Sequence, residues 1–133
     1  MAQLKRGAVE LLEYLKSKKV KMCLASATDL ELVRLALKRF EIDKYFTAVC
    51  SCSEIKKGKD KPDIYYLAVK LLETTIEDSC VFEDSLVAIK TAKNAGFKTV
   101  GIYDINNYGQ EEIKSLVNLY VNNGESLTKF FKN

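Results

Sequence analysis

Two acids, Glu83 and Asp84, stand side by side where an apolar run ends, in the stretch "SCVFEDS" at 79–85. Neighbouring carboxylates at the end of a buried strand repel each other and lose hydration, so such a pair calls for a compensating cation or lysine. Other apolar runs end in groups of matching chemistry. Ser26, Ala27 and Thr28 follow "VKMCLA", Lys59 lies in the loop after "FTAVCSC", and Asp104 ends "KTVGIY". Hydroxyls, exposed amides, a lysine and acids suit a phosphate with a hard cation. Mg²⁺ is usually held by one or two carboxylates plus phosphate oxygens, while a lysine, a hydroxyl and amides neutralise the oxygens that remain. The chain contains no histidine, which excludes Ser-His-Asp and Cys-His nucleophile activation and every His-ligated metal site.

The elements that must position these groups are legible as an alternation. "GAVELLEYLKSK" places Ala8, Leu11, Leu12 and Leu15 at helical spacing, with lysines where they suit the helix dipole. A strand is expected over 20–25, and then a helix in "DLELVRLALKRF" with Val33, Ala36, Leu37 and Phe40 on one face. Next come a strand in "FTAVCSC", a lysine-rich loop with Gly58 and Pro62, a helix over roughly 62–73 (Ile64, Leu67, Ala68, Leu71) and the strand "CVFE". A helix through "LVAIKTAKNAG" closes at Gly96, and "KTVGIYD" is a strand. A short helix "QEEIKSL", a short strand "LYV" and a terminal helix or turn "SLTKFFK" complete the series. Strands alternating with helices at this rhythm imply an α/β fold, a mainly parallel sheet covered on both faces, in one domain over 1–133. In such sheets ligands bind beyond the carboxyl ends of the strands, where the candidate residues lie.

Composition narrows the class. A net charge of +3, with Lys and Arg spread along the chain, gives no reason to invoke nucleic acid or an anionic membrane. No apolar stretch is long enough to cross a bilayer, so a soluble, cytoplasmic protein is expected. Cys23 and Cys50 lie in strand-like runs as small hydrophobes. Cys50-x-Cys52 lacks zinc-knuckle spacing and a second pair.

From about Gly7 to Asp104 the chain resembles the core domain of haloacid-dehalogenase-superfamily phosphatases, in the β-phosphoglucomutase and phosphoglycolate-phosphatase branch. "LASAT" resembles the second motif of that family, "GKDKPDIY" its third motif "GKPxPDxF", and "VFEDSLVAIKTAKNAGFKTVGI" its fourth motif with the following helix and strand. The resemblance implies a Rossmann-like three-layer α/β/α core. It also implies that Ser26 and the Ala27 amide bind the transferring phosphoryl group, that Lys59 balances charge on nucleophile and phosphate, and that Glu83 and Asp84 hold Mg²⁺. Ser26 and Lys59 are thus the candidate catalytic residues.

The departures are as informative. The first motif of the family, an apolar strand followed by Asp-x-Asp that supplies the nucleophile and general acid, has no counterpart, because no Asp-x-Asp occurs in the chain. Arg6-Gly7, Asp60 and Ala88 replace a Pro-Gly, a proline and a glycine of the family pattern. The resemblance therefore implies that the chain starts after the nucleophile strand and the cap. It would then be a fragment or truncated form of a phosphatase or phosphomutase acting on small phosphorylated metabolites such as sugar phosphates, and inactive alone. The reading from a different class is a non-catalytic phosphate- or Mg²⁺-binding or interaction module. A response-regulator receiver domain has similar acid-pair chemistry, but its pair follows the first strand and this one comes late.

Plainer roles compete for several residues. Thr28 with Glu31 forms a "TDLE" capping-box pattern, Asp84 is placed to cap the helix starting at Ser85, and Asp104 to begin the turn "DINNYG". Lys59 is one of five lysines between 56 and 70, which by itself reads as a solvated loop charge. In the resembled fold the absent strand lies between those matching 20–25 and 79–84. Either these two pair directly, or an N-terminal fragment, another segment or a second copy of the chain fills the place between them.

Overall fold

A computed structural model describes residues 7–128 of the chain. The expected alternation is present: α1 (Ala8–Ser17), β1 (Cys23–Ser26), α2 (Leu30–Arg39), β2 (Ala48–Ser51), α3 (Cys52–Ile55), α4 (Asp63–Leu71), β3 (Cys80–Glu83), α5 (Leu86–Asn94), β4 (Lys98–Ile102), α6 (Gln110–Leu116) and β5 (Leu119–Val121). The "CVFE" strand, the "QEEIKSL" helix and the "LYV" strand match their expected bounds. The first strand begins later than expected, since Val20 is exposed and the ladder starts at Cys23. The short helix α3 was not legible as periodicity. It is one turn started by a capping box, in which the buried Ser51 hydroxyl accepts from the Ser53 amide and Glu54 accepts from the Ser51 amide. Most of "SLTKFFK" lies outside the described residues.

Every strand pair is parallel, but the strands form two sheets among the described residues. β1 pairs with β2, setting Cys23 against Ala48 and Ser26 against Ser51. β3 pairs with β4 and β4 with β5, setting Phe82 against Val100 and Val100 against Leu119. The direct pairing of β1 with β3 is not formed. Instead a cleft of about 900 Å³, lined by Cys23 and Ala25 on one side, Val81 and Glu83 on the other, and apolar side chains of α1 and α4, separates them. One apolar cluster runs from Cys50 and Cys52 through Ile64 and Tyr65 of α4 to Ala92 and Phe97, with Cys23 and Val81 at its margins. Side chains of α4, Tyr65, Ala68 and Val69 among them, line this cleft.

The helices present the expected faces with two corrections. Ala36 is exposed and Leu71 is 42% exposed. The buried faces centre on Val33 and Leu37 in α2 and on Ile64 and Tyr65 in α4, which puts Ala36 and Leu71 at the margins of the stripe at 100° per residue. α5 ends as expected: Gly96 adopts φ +98°, and the Phe97 amide bonds back to the Ala92 carbonyl.

Gly101 in β4 is fixed by the approach of α6. A Cβ there would lie 2.7 Å from Ile113 Cγ2 and 3.0 Å from the Tyr120 ring. Gly101→Ala is therefore expected to destabilise the fold by about 1–3 kcal/mol through overpacking, read as a lower midpoint in urea unfolding followed by far-ultraviolet circular dichroism. An unchanged midpoint would show that α6 is free to move outward.

Candidate functional site

Glu83 closes β3 with its side chain turned inward, 8% exposed. A carboxylate so placed requires partners, and two reach it. Lys59 Nζ donates to Oε2 at 2.5 Å, and Tyr65 Oη donates to the same oxygen at 2.8 Å. Oε1 accepts no hydrogen bond among the described residues and is not sealed from solvent. Glu83, Lys59 and Asp84 all line the cleft between the sheets. Lys59 is 22% exposed, so the reading of a freely solvated loop charge does not hold, even though Lys57 nearby forms an exposed pair with Asp63.

Tyr65 belongs to this cluster, although it is not among the candidates named from the sequence. It is 3% exposed, its ring lies tilted against Phe97 with centroids 6.0 Å apart, and its oxygen reaches the acid. The available signal was its place at the end of "GKDKPDIY", where the quoted family pattern has Phe. Burial first, and then the negative charge of Glu83, push the Tyr65 phenol well above its ordinary range. Burial also raises the Cys52 thiol, with Lys59 pulling the other way.

Asp84 is not the helix cap. Ser85 takes that role, its hydroxyl accepting from the Ala88 amide at 3.3 Å. The Asp84 carbonyl accepts from Asn107 Nδ2 at 3.0 Å, which ties the acid pair to the loop after β4. Asp104 begins that loop as expected, its carboxylate accepting from the Asn106 amide at 2.8 Å in an Asx turn.

Ser26 and Ala27 lie at the carboxyl end of β1, in the other sheet. The Ser26 hydroxyl accepts from the Thr28 amide at 3.0 Å. The Thr28 capping box is absent: α2 starts from Asp29 without a side-chain cap, and the Thr28 carbonyl accepts from the Ser51 hydroxyl of β2 at 2.6 Å. Among the described residues no hydrogen bond joins Ser26 to Lys59 or Glu83. The structure thus joins Lys59 to Glu83, sets Asp84 next to them, and leaves Ser26 and Ala27 at the end of the strand across the cleft.

Two adjacent acids that line the cleft, one with an oxygen that no donor among the described residues reaches, fit the donor set of Mg²⁺, which takes one or two carboxylates and completes its shell with water or phosphate. Among the described residues no group of three or more His, Cys, Asp or Glu side chains converges to hold a metal. Any further donors would come from water, phosphate or groups beyond those residues.

Sequence and structure comparisons agree on one class. The profile of haloacid dehalogenase-like hydrolases matches residues 1–96. The chain is 36% identical over 94 residues to a phosphorylated carbohydrates phosphatase of Thermotoga maritima, covering 71% of this chain and 44% of the relative. It is 32% identical over 96 residues to the β-phosphoglucomutase of Bacillus subtilis, covering 72% and 42%. The crystal structure of a putative β-phosphoglucomutase from Thermotoga maritima superposes with a TM-score of 0.77 at 33% identity, over 86% of this chain and 54% of that one. The chain belongs to the haloacid dehalogenase-like hydrolases, and it spans about half the length of the relatives it matches.

Two outcomes follow from the cluster. Lys59→Met leaves Glu83 buried with one partner fewer and is expected to cost about 1–3 kcal/mol in denaturant unfolding at neutral pH, with Lys57→Met near zero as the exposed control. Because the folded Tyr65 phenol is raised above its unfolded value, the stability it contributes is full below about pH 10 and falls as pH rises beyond, where the unfolded chain ionises first. The stability advantage over Tyr65→Phe should therefore shrink above about pH 10 in unfolding titrations. An advantage that grows there would contradict the assignment.

Proposed function

We propose that residues 1–133 form a partial core domain of a Mg²⁺-dependent phosphatase or phosphomutase acting on small phosphorylated metabolites, with sugar phosphates as the substrate class. Ser26 and the Ala27 amide would take phosphoryl oxygens, Lys59 would balance their charge, and Glu83 with Asp84 would anchor the Mg²⁺. The observation that carries this reading is the buried Glu83 held by Lys59 beside Asp84 at the carboxyl end of a parallel strand, in a chain whose relatives include a phosphatase of phosphorylated carbohydrates and a phosphoglucomutase.

Phosphoryl transfer also requires an in-line nucleophile, and the chain has no Asp-x-Asp. In this reading the nucleophile comes from a strand that enters the cleft between β1 and β3, contributed by a segment outside residues 1–133 or by another chain, a second copy included. The absence of Asp-x-Asp also favours a second reading, a non-catalytic module that keeps the phosphate and Mg²⁺ groups for binding. A cytoplasmic setting is consistent with both, since no helix among the described residues is long and apolar enough to cross a membrane.

Hydrolysis of p-nitrophenyl phosphate with Mg²⁺ tests the proposal. The chain alone is expected to give no turnover. Mixed with a synthetic peptide of apolar strand residues ending in Asp-x-Asp, it is expected to gain turnover that Asp84→Asn abolishes. Clear turnover by the chain alone would sink the claim that it is incompetent. Failure of the peptide to confer any, with Mg²⁺ and phosphate still bound, would leave the binding module as the better description.

A further inference from the structure

The bonding of Glu83 is asymmetric in a way that bears on which cation the acid pair accepts. Both of its donors, the Lys59 ammonium and the Tyr65 hydroxyl, converge on Oε2, and among the described residues no donor reaches Oε1, which is not sealed from solvent, in a residue that lines the cleft. The two donors come from different places. Lys59 sits in the loop before α4, and Tyr65 sits within its first turn, held by burial and by the Phe97 ring. The hydroxyl position is therefore set by the core, whereas the lysine reaches Glu83 on a flexible stem.

We infer that Tyr65 is a positioning residue that confines Glu83 to offering a single oxygen, and that it thereby biases the site toward Mg²⁺ over Ca²⁺. The inference rests on the Mg²⁺ reading above and adds a residue to it. Mg²⁺ demands near-octahedral geometry from single oxygens and keeps several waters, whereas Ca²⁺ takes six to eight ligands and readily uses both oxygens of one carboxylate. A carboxylate with one oxygen occupied by two donors meets the first requirement and is a poor bidentate ligand. Withdrawing the hydroxyl loosens Oε2 and permits the side chain to turn, which removes the penalty against Ca²⁺.

The test is titration of the full chain with Mg²⁺ alone and with Ca²⁺ alone, read as amide shifts around Glu83 and Asp84 in nitrogen-15 nuclear magnetic resonance. The chain is expected to prefer Mg²⁺, and Tyr65→Phe, which retains the ring on Phe97, to lower the ratio of the Ca²⁺ to the Mg²⁺ dissociation constant by about three- to tenfold. Lys59→Met removes the other donor to Oε2 and is expected to move the ratio in the same direction, which keeps the test decisive if the Tyr65 variant folds poorly. A purely structural role for Tyr65 would weaken both cations alike, so an unchanged ratio in the variants overturns the inference and leaves the Mg²⁺ site standing. If the unaltered chain shows no shifts at Glu83 and Asp84 with either cation, the Mg²⁺ reading fails and the inference fails with it.

Discussion

The carboxylate of Glu83 sets the terms for the rest of the molecule. A charged group this deeply buried is tolerated only when its partners are close and well directed, since removing one of them leaves a charge that neither water nor protein satisfies. Those partners are separated from it by about twenty residues of chain, in the loop at Lys59 and at the start of α4. Meeting the acid therefore fixes where α4 begins and which face it turns inward. With Tyr65 committed to Glu83, its ring packs on Phe97, and Ile64 next to it is fully buried. One polar requirement thus orients the helix that joins the two sheets.

That helix explains how two short parallel sheets, neither large enough to enclose a core of its own, stand as one body. The cluster centred on Ile64 and Tyr65 draws Cys50 and Cys52 from one sheet side and Ala92 and Phe97 from the other. Smaller clusters remain local, such as Met22 with Val33, Leu37 and Tyr45 around β1 and α2, or Ile89 with Ile113 and Tyr120 around α5 and α6. The candidate site groups divide along the same line, with Ser26 and Ala27 at the end of β1 and Glu83 and Asp84 at the end of β3. Lys59 belongs by chain position to neither strand and by contact to the second.

Much of this arrangement was written in local patterns. The alternation of apolar runs and amphipathic stretches gave the order of the elements, and the positions after each run gave Ser26, Lys59, Glu83 and Asp84 as candidates, because strand ends in parallel sheets are where polar groups collect. Gly96 announced the end of α5. What local pattern does not encode is where each group finds its partner in three dimensions. "TDLE" looks like a capping box, yet α2 takes Asp29 as its N-cap with no side-chain cap bond. The cap that does form, Ser51 with Glu54, was hidden inside a run read as strand followed by loop. Tyr65 was not named as a candidate, because helical spacing reports which side is buried and says nothing of where a hydroxyl at that side ends. The direct pairing of β1 with β3 is not formed either, since which strand edges meet depends on segments far apart in the chain.

The division into two sheets has a counterpart in time. β1 and β2 are joined through α2 within residues 23–51, and β3, β4 and β5 through α5 and α6 within residues 80–121. Every strand pairing is thus made between consecutive strands, over short separations along the chain, which is the arrangement that closes loops cheaply and assembles fast. Each sheet can gather its hydrogen bonds without waiting for the other, and α4 packs chiefly on β1 and β2 while its Tyr65 meets Phe97 and Glu83 from the second. Glu83 meets both of its donors only where the second sheet comes against the Lys59 loop and α4.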